Sequence, residues 1–282
     1  MSGTTDHHHQ PDQDPPDQDR ADQDRADQDR NAAKASGRFG GVRRWFRRVR
    51  SRPEALAVYR HCELGTRLHV RLRWHSAPLS AVVAALPRTG RVLDVGCGHG
   101  LLSVMAAVGQ PGREVYGVDI DAAKIAQAQR ATISWPAGTE RRAGSGAGDE
   151  AGHGSLRFAT VPEGWQPEPG PHWDGIVICD VLYLLGPETG GALMAACTRA
   201  LRPGGVLVVK EIGLRPRWKY RLAVLQELSA TRLARVTAGA TVRFLAPEQL
   251  QATMVDAGLA VRSERIDRHY PHPHLLLVGM AP

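Results

Sequence analysis

The chain has 282 residues, 42% of them hydrophobic, and a formal net charge of +7, which is enough apolar material for one large α/β domain or two small ones. Its four cysteines, Cys62, Cys97, Cys179 and Cys197, form no C-x-x-C pair and stand at no zinc-ligand spacing from histidines; this argues against a disulfide framework or a structural metal and for a reducing, cytoplasmic setting. The first residues are acidic and polar rather than basic and apolar, and no apolar run approaches the roughly 20 residues that span a bilayer, so a soluble chain is expected.

Residues 1–35 read as a disordered polar tail, since DQDRADQDRADQDR (Asp17–Arg30) repeats a charged five-residue unit with no apolar face to bury. Within that tail His7–His9 could bind a metal weakly, although a plain polar stretch accounts for them as well. The segment 36–75 is basic and amphipathic. Arg43, Arg44, Arg47, Arg48, Arg50 and Arg52 surround Trp45, Phe46 and Val49. The pattern suits an anionic membrane surface through residues 43–50 or, equally, a solvated helix that packs Trp45 on the domain. Nucleic acid is a poorer partner, because no comparably basic stripe recurs in the chain.

From about residue 55 helices and strands alternate. The amphipathic stretch LAVYRHCELGTRLHVRLRW (56–74) and the helix LSAVVAAL (79–86) precede the strand RVLDVG (91–96). Helix LLSVMAAVG (101–109), strand EVYGVDI (114–120) and helix AAKIAQAQRAT (122–132) follow. The glycine-rich, charged stretch 136–155 lacks any apolar period and reads as a flexible surface insertion, with a substrate lid as the lesser alternative. Next come strand LRFATV (156–161), strand GIVICDVLYLL (175–185) with its exit loop, helix ETGGALMAACTRALRPGG (188–205) stopped at Pro203, and strand VLVVKEI (206–212). The stretch 212–239, basic at its start and amphipathic beyond, could cover an acceptor pocket or present a solvated helical face. Helix PEQLQATMVDAGL (247–259) opens on Pro247 and closes on Gly258. The last strands, AVRSERID (260–267) and HLLLVGM (274–280), are joined by a hairpin-length connection, so the final strand should run antiparallel. Continuous apolar strands between helices mean a mostly parallel sheet buried on both faces.

The stretch VGCGHG (95–100) places Gly96, Gly98 and Gly100 at alternate positions where the first strand opens into a helix, the place where ligands bind in such sheets. A dinucleotide motif would put its third glycine at 101, where this chain has Leu101. Asp94 precedes the turn. Asp119 ends the next strand, where a carboxylate can accept both hydroxyls of a ribose. Together these features point to a ribose-bearing ligand.

The segments VLDVGCGHG, VYGVDID, WDGIVICDVLYLL and LRPGGVLVVKE, in that order and spacing, resemble the successive motifs of class I S-adenosylmethionine-dependent methyltransferases over roughly residues 75–282. The resemblance implies an α/β, doubly wound, Rossmann-like seven-stranded sheet, mostly parallel with an antiparallel last strand and helices on both faces, in a domain spanning 76–282. It implies S-adenosyl-L-methionine on the Gly96–Gly100 turn, with Cys97 and Val181 among the lining residues. Asp94 would help hold the methionine moiety, Asp119 the ribose, and Ile120 would pack on the adenine. Asp180, ending the fourth strand, would face the methionine end and the substrate. Many members also carry an acid after the third strand that meets the adenine amino group. This chain has FATVPEGW there, leaving Thr160 or a backbone group.

Methyl transfer needs an aligned nucleophile and, for a hydroxyl or amine, a proton acceptor. Asp180, Tyr183, Lys210 and Glu211 lie at the carboxyl edge of the sheet. The connection between the sixth and seventh strands emerges at the same edge and brings His269, Tyr270, His272 and His274, histidine being matched to proton transfer near neutral pH. The catalytic candidates are therefore His272, His274, Asp180 and Glu211, although Pro271 and Pro273 equally fit a rigid surface turn. The resemblance extends to bacterial stand-alone enzymes of small-molecule metabolism, which implies O-methylation of a small organic acceptor. The alternatives are a non-catalytic cofactor- or membrane-binding domain of the same fold, and an RNA methyltransferase.

Overall fold

The structure is a computed structural model that describes residues 54–135, 152–213, 246–268, 270 and 272–282. The polar tail, the arginine-rich segment 43–52, most of the insertion, the possible cover after the fifth strand and His269 lie outside the described residues.

Seven strands form one sheet: β1 (Gly90–Val95), β2 (Arg113–Asp119), β3 (Ser155–Thr160), β4 (Trp173–Cys179), β5 (Leu201–Ile212), β6 (Ala260–Arg265) and β7 (His274–Met280). Their spatial order is β3-β2-β1-β4-β5-β7-β6. β1 to β5 pair in parallel, whereas β7 runs antiparallel to both β5 and β6. The continuous apolar runs of β1 and β4 occupy the centre, as strands covered on both faces must. β3 and β6 form the edges and leave charged or polar side chains such as Arg157 and Glu264 in solvent, which discourages edge pairing.

Because side chains alternate along a strand, the sheet has two apolar faces. One carries Leu93, Val95, Ile176, Ile178, Leu207, Val209, Leu275 and Leu277. It is covered by Leu193, Met194 and Cys197 of a long helix after β4 and by Leu250 and Met254 of the helix before β6. The other carries Val92, Val177, Val208 and Leu276. The helices are α1 (Glu54–Ala57), α2 (Leu64–Ser76), α3 (Leu79–Ala85), α4 (Leu101–Ala107), α5 (Ala122–Thr132), α6 (Leu182–Arg199) and α7 (Pro247–Asp256). No helix among the described residues is long and apolar enough to cross a membrane.

Four local readings are sharpened or corrected. The stretch 56–74 is not continuous: a 3-10 turn at Val58–His61 follows α1 and the chain is extended at Cys62. The break is fixed by docking on α5, where the Glu63 amide donates to Gln127 Oε1 and Gln127 Nε2 donates back to Glu63 Oε1 at 2.8 Å. Residues 182–185 are helical rather than an exit loop. α6 begins at Leu182 and is kinked at Gly186 (φ 76°), just before Pro187. It also ends at Arg199, ahead of Pro203. Finally, β3 opens at Ser155, inside the expected insertion.

The least foreseeable structural residue is Arg113. It opens β2 fully buried, and its guanidinium donates to Pro87 O (Nε, 2.8 Å) and Ala106 O (Nη1, 2.6 Å), joining β2 to the ends of α3 and α4. Arg113→Met should remove charge-assisted bonds worth roughly 1.5–3 kcal/mol each and lower the melting temperature by about 5–10 °C. Thermal unfolding followed by circular dichroism checks this, and a melting point unchanged within the error of the scan would contradict it.

Candidate functional site

The carboxyl ends of β1, β2, β4 and β5 meet at one edge, and the glycine turn after β1 is built into it by main-chain bonds. The amides of Gly96 and Cys97 both donate to Val118 O, at 2.8 and 3.0 Å. The Gly98 amide donates to Asp119 Oδ2 at 2.7 Å, and the Asp121 amide to Asp119 Oδ1 at 2.9 Å. Asp119 thus fixes the turn with both oxygens, yet a carboxylate offers about four acceptor positions, and two remain. Asp121 caps α5 through the amides of Ala123 and Lys124. Ile120, between these acids, leaves 62% of its surface exposed.

The three glycines are not equivalent. A methyl group added at Gly96 would lie 2.4 Å from Val181 Cγ2, and one at Gly100 2.5 Å from Phe158. Those two positions accommodate the protein's own packing. Gly98 (φ 55°) faces open space among the described residues, its nearest neighbour being Lys124 Cδ at 4.0 Å. A glycine in the left-handed region with nothing of the protein over it is a place for another molecule to approach the backbone.

Asp94 lies beneath the turn, buried, and accepts the Ser103 hydroxyl at 2.5 Å. Burial pushes its carboxyl up to about 7. It anchors α4 to β1 rather than facing solvent. Burial also raises the Cys97 thiol, which stays protonated and is a lining group rather than a nucleophile. The 3-10 turn and α2 close over the glycine turn: Tyr59 Oη donates to His99 O at 2.8 Å, and the rings of His69 and His99 stand 4.7 Å apart.

The other half of the site is built around Asp180, which has φ 59° and is the one non-glycine residue with positive φ among the described residues. Lys210 Nζ donates to both its oxygens, at 2.6 and 2.7 Å, and Arg73 Nη2 donates at 2.5 Å. Burial alone would raise the Asp180 carboxyl, but Lys210 and Arg73 outweigh it and hold the group well below the usual carboxylate range. Glu211 Oε1 accepts the amides of Val181 at 3.1 Å and Leu182 at 2.8 Å, capping α6. Burial and then the Asp180 charge push its carboxyl up to about 8.

His274 opens β7 opposite Ile212. Its Nε2 lies 3.2 Å from Ser76 O; because a carbonyl only accepts, Nε2 carries the proton and Nδ1 the lone pair. That Nδ1 is buried with no hydrogen-bond partner among the described residues. Burial, then Lys210, hold its pKa down at about 3, far from an unperturbed histidine. The rings of Tyr270 and His272 pack against it at 5.8 and 6.1 Å.

The structure therefore brings Asp94, Gly96, Cys97, Gly98, Gly100, Asp119 and Ile120 together in one half, and Asp180, Glu211 and His274, flanked by His272, in the other. Val181 joins them through Gly96. Sequence reasoning missed Arg73. It lies in a stretch quoted only as amphipathic, and nothing local marks a cation that will meet an acid so far along the chain.

The sequence model of a family described as a methyltransferase domain matches residues 56–264. The chain is similar to a protein of Psychrobacter arcticus named ubiquinone biosynthesis O-methyltransferase, with 28% identity over 183 residues, 64% of this chain and 62% of the relative. It thus spans less than two thirds of that relative's length. Among solved structures, an O-methyltransferase family protein from Burkholderia thailandensis is 16% identical with a TM-score of 0.55, over 77% of this chain and 58% of that one. Magnesium protoporphyrin IX methyltransferase from Synechocystis, solved with bound SAH, is 21% identical with a TM-score of 0.50, over 77% and 84%. At these identities the structural likenesses establish a shared fold.

Asp180→Asn should destabilise the protein by roughly 3–5 kcal/mol at neutral pH, because it strands Lys210, 1% exposed, without its carboxylate. Lys210→Met should cost less, since Arg73 still pairs Asp180, and the double variant should recover part of the Asp180→Asn loss. The folded carboxyl titrates below its unfolded value of roughly 3.9. The wild-type advantage is therefore full above that pH and shrinks as the pH falls further. Urea unfolding at neutral and acid pH tests the set; an Asp180→Asn variant as stable as wild type at neutral pH would remove the ion pair from this account.

Proposed function

The chain belongs to the methyltransferase domain family, and from that membership and the site we propose that it transfers a methyl group from S-adenosyl-L-methionine to an oxygen atom of a small organic acceptor. The observation that carries this reading is the open, left-handed Gly98 whose amide is held by Asp119, the residue before the exposed Ile120. A side chain at 98 would fill the cradle, and none is there. The residues present fit the cofactor: Asp119 keeps two acceptor positions for ribose hydroxyls, Ile120 offers an apolar surface to the adenine, and Cys97 and Val181 line the space between. Asp94 acts through the turn that it anchors. When bound, the cofactor supplies a methyl group already activated on a sulfonium.

The chain's own residues then align the acceptor and receive its proton. Asp180 is a weak candidate for proton acceptance, since two cations occupy its carboxylate; it holds Arg73 and Lys210 at the acceptor end instead. Glu211 has one oxygen committed to the α6 amides. His274 offers a buried lone pair at Nδ1 and is neutral at physiological pH. An oxygen that has gained a methyl group while keeping its proton is strongly acidic, so even a histidine with a low pKa suffices to take that proton. His272 beside it is the second candidate. An oxygen acceptor is supported by the name of the Psychrobacter arcticus relative; we place the enzyme in the cytoplasm and, from the arginines and aromatics of residues 43–50, propose a peripheral contact with anionic membrane there.

Calorimetry with S-adenosyl-L-methionine is the direct test. Asp119→Ala should weaken binding at least tenfold, because charge-assisted hydrogen bonds are worth roughly 1.5–3 kcal/mol each. Gly98→Val should do as much by filling the cradle; unchanged affinity in both would remove the cofactor site. Binding without turnover on extracts incubated with labelled cofactor would favour a non-catalytic domain.

His274→Gln should leave cofactor affinity within about twofold while kcat falls by roughly 10² to 10⁴. Because the folded His274 protonates only near pH 3, the acid limb of the wild-type rate profile should lie well below the roughly 6.5 of a free histidine. Full activity in both His274→Gln and His272→Gln would reduce this connection to a structural turn.

A further inference from the structure

α2 is turned the opposite way from most helices on a domain surface. Thr66 and Val70 are buried, while Leu64, Leu68 and Leu72 are 77%, 60% and 61% exposed. Leucines four residues apart fall on one line along a helix, and a helix in a globular domain ordinarily points that line at the core. Here the stripe faces away from it, over a helix of 13 residues and thus about 20 Å long. No described element covers these leucines.

A second feature adjoins the stripe. Between α1 and α2 runs a groove of about 340 Å³, with Leu56, Tyr59 and Val70 along it and Arg60, Arg67 and Arg71 around it. Arg67 and Arg71 alternate with the exposed leucines and form no ion pair among the described residues. The one acid at the start of the helix, Glu63, is engaged by Gln127. The chain that leads into α1 carries Arg43, Arg44, Arg47, Arg48, Arg50 and Arg52 with Trp45 and Phe46, so positive charge is continuous with this face in sequence.

We propose that the leucine stripe of α2 and the arginine-lined groove beside it form a docking face for an anionic phospholipid bilayer. The leucines enter the boundary between headgroups and acyl chains, and the arginines lie at phosphate level, their stems on apolar surface and their guanidinium groups on the phosphates. Charge complementarity selects this occupant, since a second copy of the chain would bring its own arginines against these. The inference deepens the membrane contact proposed above for residues 43–50 by adding a folded surface to it, and it is independent of the transfer chemistry. It also gives α2 two tasks, because the same helix sends Arg73 inward to Asp180.

The test is co-sedimentation of the full chain with phosphatidylcholine vesicles, with and without about one third phosphatidylglycerol, at low and high salt. Wild type should pellet with the anionic vesicles and be released by salt. Leu64→Ser/Leu68→Ser/Leu72→Ser should lower the bound fraction by roughly tenfold or more, and Arg60→Gln/Arg67→Gln/Arg71→Gln by a similar factor. Both should keep wild-type circular dichroism and cofactor affinity. Wild type that ignores anionic vesicles overturns the proposal, as do leucine variants that bind as well as wild type. If binding is lost only in Arg43→Gln/Arg44→Gln/Arg47→Gln/Arg48→Gln, the membrane contact stands and this face is not part of it. A concentration-dependent dimer in sedimentation velocity, abolished by the leucine substitutions, would assign the stripe to a second copy instead.

Discussion

The buried carboxylate of Asp180, held between Lys210 and Arg73, is the constraint on which the carboxyl edge of the sheet depends. Two charges removed from water, Asp180 and Lys210, with the part-exposed Arg73 beside them, are costly unless their geometry is good, and here five elements or ends must be in place for it: the end of β4, the end of β5, α2 and, through the neighbouring residues, the start of α6 and of β7. Asp180 adopts a left-handed backbone conformation that a non-glycine residue tolerates only when its surroundings impose it. The Asp180 amide also donates to Lys210 O at 2.9 Å, so Lys210 grips the same residue by main chain and side chain.

That arrangement decides the acid-base character of its neighbours. Lys210 helps keep His274 neutral, Asp180 helps keep Glu211 protonated to higher pH, and Asp180 itself stays charged. Carboxylates adjacent at one sheet edge are thereby driven apart in behaviour, one an ion-pair anchor and one a helix cap. The imidazole Nδ1 is left as the neutral acceptor without a donor among the described residues. Residue type alone gives no such sorting, because Asp180, Glu211 and His274 would all be plausible bases if each were judged by its ordinary pKa.

The central strands, the antiparallel β7 and the glycine turn were legible in the sequence because each rests on a short-range signal, whereas the order of the strands across the sheet is a long-range property that the structure supplies. Apolar runs mark β1 and β4, the hairpin-length connection orients β7, and alternate glycines mark the ligand turn. The helical start at Leu182 was not legible, since its support is a carboxylate on β5 reaching main-chain amides far away in sequence. Nor was the outward stripe of α2. Its leucine spacing announces a helix face, but only Thr66 and Val70 meeting the domain, and Arg73 reaching Asp180, fix which face is inward. Arg113 was opaque for the same reason: a cation at the start of a strand usually means solvent, and only the carbonyls of Pro87 and Ala106 make it interior.

The space that a side chain at Gly96 would fill is taken by Val181. Positions 96 and 181 therefore share one volume, although they belong to different strands' exits and to different halves of the site. Val181 fixes the room at 96, and because Gly96 also has φ 73°, in the left-handed region, a smaller residue at 181 would make space for a methyl group there without relieving its backbone strain. Position 96 is thus held to glycine by its backbone as well as by its neighbour, and the Glu211 cap holds that neighbour in place. A larger residue at the start of α6 would therefore press on the first glycine of the turn, so a change in one half of the sheet edge is felt in the other.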